Sequence, residues 1–125
     1  WDFKDCPDLA QTVVPVCAVK GITGEFTGLE SLRIKETDRI AALQNEIAKV
    51  GATLTEPSTG KWILAPGKIP TSEITIDTYH DHRMAMGFAP WATLINLKIN
   101  NPSVVNKSYP GFWDDVISVG IKVES

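Results

Sequence analysis

The stretch LRIKETDR, residues 32–39, carries five charges in eight residues and leads directly into the clearest helical pattern of the chain. Downstream, apolar residues recur at helical spacing at Ile40, Leu43, Ile47 and Val50. Gly51 follows where a left-handed helix end is expected. The charged stretch therefore lies at a helix N-terminus, where free backbone N–H groups and the helix dipole favour a bound anion.

The composition is that of one globular domain. The chain has 125 residues, of which 43% are hydrophobic, and a net charge of −3, which argues against a general nucleic-acid or membrane-surface binder. The longest nearly uncharged run, residues 84–97, is shorter than the roughly 20 residues needed to span a bilayer. No secretory signal is visible. The chain begins at Trp1 rather than Met, which fits a piece of a longer protein or a trimmed chain.

The two cysteines, Cys6 and Cys17, are isolated in the sequence. We expect buried free thiols in a reducing cytoplasm, with a disulfide or a metal pair as the alternative. A zinc site lacks ligands at a sensible spacing, because only His80 and His82 accompany the thiols.

Turn residues and periodicity divide the rest of the chain into short elements. In order we expect a strand end at residues 1–4, an apolar helix at 7–20 ended by Gly21, a strand at 22–29, the helix that ends at Val50, a hairpin with strands 52–56 and 61–65 around turn 57–60, a strand at 74–78, a helix at 84–94 capped by Asp81, a strand at 97–100, a helix at 111–119 ended by Gly120, and a strand at 121–123. Pro15 and Pro90 fall inside the two apolar helices, where each should bend the helix because it deletes a backbone hydrogen bond.

This order contains a repeat. An apolar helix, a short strand, a lysine loop at Lys35, a second helix and Gly51 are followed by the same series with Lys107 and Gly120. Two related units, with helices on one face of a mixed sheet, predict an α+β or α/β fold.

Cations at the predicted helix starts are unusual. Acids such as Asp8 are common in first turns, and His80 and His82 could be ordinary surface residues. A cation beside a helix N-terminus is unfavourable, however, unless an anion joins it. Four cations at such positions, Lys35, Arg39, Arg83 and Lys107, predict a multiply charged anionic ligand. A site at these helix N-termini that also holds carboxylates and a histidine is suited to proton transfer on a bound phosphate or carboxylate.

Two motifs carry a family resemblance. KETDR at residues 35–39 and DHRMAM at residues 81–86, together with Pro7-Asp8 and Asn106-Lys107 in the same order, strongly resemble EPSP synthase, the 3-phosphoshikimate 1-carboxyvinyltransferase family. The resemblance covers essentially the whole chain but only the C-terminal part of that enzyme. It implies two repeated β-α-β-α-β-β-type units, at about residues 1–78 and 79–125, of an "inside-out barrel" domain with buried parallel helices covered by mixed sheets.

The resemblance also implies an activity. The family transfers the enolpyruvyl group of phosphoenolpyruvate to the 5-hydroxyl of shikimate 3-phosphate and releases phosphate, with no organic cofactor and no obligatory metal. Asp8 would take the 5-hydroxyl proton, and Glu36 would take part in proton transfer at the methylene carbon. Arg39 and Arg83 would bind the phosphoenolpyruvate carboxylate, with His82 close by.

The remaining implied contacts are to phosphates and to shikimate 3-phosphate. Lys107 would contact the leaving phosphate, and Lys35 would bind shikimate 3-phosphate. Ser31, in a Ser-Leu pair where many relatives carry Asn-Trp, marks a substrate contact that is altered here. Pro15 and Pro90 are further departures from the family pattern.

The family's enzyme closes a second, N-terminal domain over the substrates, and no such sequence is present here. We therefore expect this piece alone to have negligible turnover. Two alternatives stay open: another enolpyruvyl transferase, such as the one that acts on UDP-N-acetylglucosamine, and an anion-binding module without catalysis.

Overall fold

The structure is a computed structural model that describes residues 1–35 and 37–118. Its α-helices are α1 (Ala10–Lys20), α2 (Arg39–Ile47), α3 (His82–Phe88) and α4 (Phe112–Ser118). Its strands are β1 (Gly24–Phe26), β2 (Thr53–Ser58), β3 (Lys61–Ala65), β4 (Ile74–Ile76) and β5 (Leu97–Ile99). Short 3-10 helices occupy Pro7–Leu9, Glu30–Ile34, Ala48–Val50, Ala89–Thr93 and Pro102–Val105.

The mixed helix and strand content confirms the α+β class, but the strands form two sheets where one mixed sheet was expected. Strands β1, β3 and β2 form an antiparallel sheet in that order, and β4 pairs in parallel with β5. The two-residue turn at Thr59–Gly60 joins β2 to β3 directly and makes that pair antiparallel. A parallel pair needs a longer crossover, which α3 provides between β4 and β5.

The two apolar helices pack closely at a glycine. A Cβ atom added at Gly87 of α3 would lie 2.1 Å from the carbonyl oxygen of Gln11 in α1, so only glycine fits at this contact. One helical turn further, the Trp91 indole N–H donates to the Pro15 carbonyl over 2.8 Å. These contacts hold α1 and α3 together in the core. The largest fully buried side chains there and under the antiparallel sheet include Phe26, Leu29, Leu32, Leu43, Leu64, Phe88 and Trp91.

The two internal prolines behave differently. Pro15 lies within α1, as predicted. Pro90 was expected inside an α-helix at 84–94, but α3 ends at Phe88 and Pro90 is the second residue of the 3-10 helix that follows. Proline has no N–H to donate to the carbonyl four residues earlier, so the α-helical pattern stops before it.

The predicted helix ends are mostly correct. Gly21 and Gly51 adopt left-handed conformations, with φ of 72° and 82°, at the ends of the first two helical segments. The predicted turn at 57–60 is shorter than expected, because β2 continues through Pro57 and Ser58. Pro57 is tolerated there since β2 is an edge strand. The predicted helix end at Gly120 and the strand at 121–123 lie outside the described residues.

The two cysteines are free thiols in different surroundings. Cys17 is buried, and burial raises the pKa of its thiol. Cys6 is exposed, contrary to the expectation, because it precedes the 3-10 turn that opens α1 and lies outside the packed helix.

None of the helices in the described part of the chain is long and apolar enough to cross a membrane.

Candidate active site

The N-terminus of α2 is built as the sequence predicts. Asp38 is the N-cap, and its carboxylate accepts a hydrogen bond of 3.1 Å from the backbone N–H of Ala41. Arg39 is the first residue of the helix, and Lys35 lies in extended backbone just before it. The cap leaves Arg39 at the start of the helix, pointing toward the segments that carry Asp8 and Asp81.

Arg39 is the centre of the cluster. It is buried, with 2% of its surface exposed, and its Nε and Nη2 atoms donate to the two carboxylate oxygens of Asp81 over 2.6 and 3.0 Å. Its Nη1 atom donates to Asp8 Oδ1 over 3.0 Å. Arg39 is therefore not an exposed helix arginine but a buried cation held by carboxylates from two other segments.

Asp8 also lies near two more of the four cations that the sequence singled out. Lys35 Nζ lies 4.0 Å from its Oδ1 atom, and Arg83 Nη2 lies 3.9 Å from its Oδ2 atom. Both distances are longer than the one from Arg39. The side chains of Lys35, Arg83 and Asp8 are each about one third exposed. Lys35, Arg39 and Arg83 thus converge on Asp8 at the surface, although they are far apart in the sequence.

Asp81 holds the third segment in place. Its carboxylate is fully buried, accepts the backbone N–H of Arg83 over 2.9 Å and so caps α3, as predicted. His82 begins the helix with 20% of its side chain exposed, and its Nδ1 atom lies 3.8 Å from Asp81 Oδ1. The Asp81 carboxylate therefore binds Arg39, caps the N-terminus of α3 and lies close to His82.

Two predicted site residues are not joined to this cluster. Within residues 1–35 and 37–118, no hydrogen bond or ion pair links Ser31 or Lys107 to Asp8, Arg39 or Asp81. Ser31 lies half-buried in the 3-10 helix Glu30–Ile34, and Lys107 is exposed after the 3-10 helix Pro102–Val105. Glu36 lies outside the described residues.

The structure adds residues that sequence reasoning did not select. Asp81 was expected as a helix cap within the motif at the anion-binding surface, but not as the bidentate partner of Arg39 that it is. Glu46, seven residues after Arg39, is 1% exposed and accepts from the Tyr79 hydroxyl over 2.7 Å. Burial, together with the hydrogen bond and negative charge of Glu46, raises the pKa of Tyr79 to about 12. The sequence marks Glu46 only as one of the polar residues of an amphipathic helix.

The cluster can hold an anion by direct charge contact. In the described part of the chain, the cations Lys35, Arg39 and Arg83 meet the carboxylates of Asp8 and Asp81, and Lys35 and Arg83 remain about one third exposed to a ligand from solvent. No group of three or more His, Cys, Asp or Glu that could hold a metal ion occurs among the described residues.

The comparisons with known proteins agree on one family. The family model described as EPSP synthase (3-phosphoshikimate 1-carboxyvinyltransferase) matches residues 1–116. The chain belongs to the EPSP synthase family. The resemblance seen in its two motifs is thereby confirmed, and both motifs meet in the Arg39–Asp81 ion pair.

Relatives and solved structures give the extent of the match. The 3-phosphoshikimate 1-carboxyvinyltransferase of Bacteroides fragilis is 47% identical over 126 residues, which cover 98% of this chain and 30% of that protein. That of Neisseria meningitidis serogroup C is 40% identical over 114 residues, which cover 90% of this chain and 26% of that protein. An EPSP synthase structure from Acinetobacter baumannii matches with a TM-score of 0.70 and 27% identity, over 97% of this chain and 30% of that one. The chain thus spans 26–30% of the length of these relatives.

Proposed function

We propose that the full-length protein containing these residues transfers the enolpyruvyl group of phosphoenolpyruvate to the 5-hydroxyl of shikimate 3-phosphate. The products would be 5-enolpyruvylshikimate 3-phosphate and phosphate, a cytoplasmic step of the shikimate pathway and of aromatic amino acid biosynthesis. The observation that supports this most is the convergence of Lys35, Arg39 and Arg83 on Asp8 in a chain of the EPSP synthase family.

The proposed substrate contacts follow from charge. One carboxylate and two phosphates require several cations, and arginine binds a carboxylate through two parallel hydrogen bonds. Arg39 and Arg83 bind the phosphoenolpyruvate carboxylate, Lys35 and Ser31 contact shikimate 3-phosphate, and Lys107 contacts the phosphate that leaves. Preorganised cations stabilise charge that develops in the transition state.

The proposed proton transfers use the acids of the same site. Asp8 accepts the proton of the 5-hydroxyl of shikimate 3-phosphate while the oxygen of that hydroxyl attacks phosphoenolpyruvate. Glu36 takes part in proton transfer at the methylene carbon of phosphoenolpyruvate. The substrate anions bind the cations that surround Asp8 in this structure. The Asp8 carboxylate is then available to the 5-hydroxyl of shikimate 3-phosphate. His82 lies beside Asp81 and completes the set of groups that can exchange protons. The proposed reaction needs no cofactor and no metal.

We propose further that residues 1–125 are a partial C-terminal domain. The helix–strand–loop–helix order occurs in α1, β1 and α2 and again in α3, β5 and α4, which supports two repeat units at about 1–78 and 79–125 of the inside-out barrel that the family resemblance implies. The N-terminal domain of the same enzyme would be the partner that closes the site.

The proposal is tested by steady-state phosphate release from the full-length protein. Release should require both phosphoenolpyruvate and shikimate 3-phosphate. Release with UDP-N-acetylglucosamine in place of shikimate 3-phosphate would indicate the other enolpyruvyl transferase. Anion binding without release would indicate a binding module, and either result would contradict the proposal.

Arg83→Ala in the full-length protein tests the assignment of the cluster. We expect the KM for phosphoenolpyruvate to rise by about 10- to 100-fold, because one charged hydrogen-bonding group of the carboxylate site is lost. Arg33→Ala is the matched control, since Arg33 is exposed, lies 3.7 Å from Glu56 and stacks over Trp62 away from Asp8. An unchanged KM for phosphoenolpyruvate in Arg83→Ala would refute the role of Arg83.

A further inference from the structure

The segment just before Asp81 has an unusual backbone. Tyr79 and His80 have φ of 55° and 57°, so two consecutive residues other than glycine are left-handed. Such conformations are uncommon and persist where the surrounding structure holds them. The turn they make brings the chain from Thr78 into Asp81, His82 and Arg83, with the Asp81 N–H donating to the Thr78 carbonyl over 2.8 Å.

A buried carboxylate on α2 holds this turn. Glu46 is 1% exposed and accepts three hydrogen bonds: from the Tyr79 hydroxyl over 2.7 Å, from the Asp77 backbone N–H over 2.8 Å and from Lys49 Nζ over 2.5 Å. Lys49 Nζ also donates to the Thr75 carbonyl over 2.8 Å. The last turn of α2 and the 3-10 helix after it are therefore bound to β4 and to the turn that follows β4.

Both ends of α2 hold the same short segment. Arg39 and Glu46 are seven residues apart, so they lie on one face of the helix about 10 Å apart along its axis. Arg39 holds Asp81 at one end of residues 77–81, and Glu46 holds Asp77 and Tyr79 at the other.

The opposite side of the segment is held by β5. Asn100, directly after that strand, donates from Nδ2 to Asp77 Oδ1 over 2.7 Å, and its carbonyl accepts the Thr78 hydroxyl over 3.0 Å. Among the described residues, no hydrogen bond or ion pair joins Glu46 or Tyr79 to Asp8, so their effect on the cluster passes through the elements that they hold, residues 77–81 and α2.

We infer that Glu46 and Tyr79 are positioning residues that set where Asp81, His82 and Arg83 stand relative to Arg39, and thereby the affinity for the carboxylate substrate. For the identity of that substrate the inference rests on the proposed function. The placement itself rests only on the contacts of the described residues.

The kinetic test uses Tyr79→Phe and Glu46→Gln in the full-length protein. We expect the KM for phosphoenolpyruvate to rise by about 10- to 100-fold, because a small displacement of a binding group is costly. The KM for shikimate 3-phosphate should stay within about twofold, since Lys35 lies on another segment. A general loss of stability would not separate the two constants in this way.

The matched control lies on the same helix. Gln44 donates from Nε2 to the Leu54 carbonyl over 2.9 Å and so ties α2 to the hairpin instead of to residues 77–81. Gln44→Leu removes a side-chain hydrogen bond of α2 and should leave both Michaelis constants within about twofold. Tyr79→Phe loses only a hydroxyl, so the test stands even if Glu46→Gln fails to fold.

Hydrogen exchange separates this inference from the proposed function. In Tyr79→Phe, amides of residues 77–84 should exchange at least about fivefold faster than in the wild type, and in Gln44→Leu they should not. If the wild type shows no turnover with the two substrates, the proposed function fails and hydrogen exchange alone decides the inference about placement. Unchanged exchange in Tyr79→Phe overturns the inference. With an active wild type, an unchanged KM for phosphoenolpyruvate overturns it as well.

Discussion

At the scale of single residues, the Arg39–Asp81 pair is the contact on which the site depends. Both groups are buried, and the guanidinium uses two of its nitrogen atoms on one carboxylate. Burying such a pair adds little net stability, but removing one partner is costly because the remaining buried charge loses hydrogen bonds that water cannot replace. The pair is therefore expected to affect the free energy of unfolding mainly when one of its partners is replaced.

Asp81→Asn should destabilise the full-length protein by up to about 3–5 kcal/mol, because Arg39 loses its two hydrogen bonds to a buried carboxylate and keeps the one to Asp8. Asparagine can still cap α3, so the loss reports the missing charge opposite Arg39 and not a missing cap. Asp38→Asn is the control at the other N-cap, where the side chain is partly exposed, and it should cost under about 1 kcal/mol. Denaturant unfolding measures both, and equal losses would contradict the argument.

Tyr79 provides a prediction in the alkaline range. The pKa of its hydroxyl is raised from the ordinary value of 10.0 to about 12, first by burial and then by Glu46. The folded state therefore keeps the proton longer than the unfolded state, so the contribution to stability is present below pH 10 and is lost as the pH rises toward 12. Thermal unfolding of the full-length protein should show a steeper decline over this range in the wild type than in Tyr79→Phe. Parallel declines would contradict the prediction.

At the scale of elements, the contact between α1 and α3 joins the segments that carry Asp8 and Asp81. Asp8 precedes α1, Asp81 caps α3, and Gly87 lets the helices approach until its α-carbon lies against the Gln11 carbonyl. The distance between the two helices thus affects how Asp8 and Asp81 meet Arg39.

Gly87→Ala should therefore disturb both stability and the site. The added methyl would lie 2.1 Å from the Gln11 carbonyl oxygen, so the helices must separate, at a cost of about 1–3 kcal/mol. Gly111→Ala is the control, because a Cβ there meets nothing within 4 Å. Denaturant unfolding of the full-length variants measures the difference, and a neutral Gly87→Ala would show that the contact is looser than described.

At the scale of the whole molecule, the chain contains one wall of the proposed site. Its length is about 30% of that of its relatives, and the cluster at Asp8 is open on the surface with Lys35 and Arg83 about one third exposed. Exposed cations bind anions weakly because water and salt screen them, so an efficient site requires cover from elsewhere.

The isolated 125-residue chain should therefore release phosphate from the two substrates at a negligible rate, at least about a thousandfold below the full-length protein, since closure and additional contacts are missing. Steady-state phosphate release, with circular dichroism to verify that the isolated chain is folded, makes the comparison. Release near the full-length rate would contradict the proposal that these residues form only part of the site.

The sequence alone predicted helix α2, two of the helix ends and the family. The repeat of apolar residues at Ile40, Leu43 and Ile47 predicts α2 because helical spacing places them on one buried face. Gly21 and Gly51 end helices because glycine adopts the left-handed conformation without a steric penalty. The two motifs likewise predict the family, which the comparisons confirm.

The contacts between residues far apart in the sequence are visible only in the tertiary structure. Arg39 and Asp81 are 42 residues apart, so no local pattern reveals that they form a buried pair. Glu46 reads as one more polar residue of an amphipathic helix, and only the fold shows that it is buried against Tyr79. The division of the strands into two sheets also depends on packing. Sequence patterns record the backbone preferences of neighbouring residues, whereas the placement of charges in the site results from contacts between segments far apart in the chain.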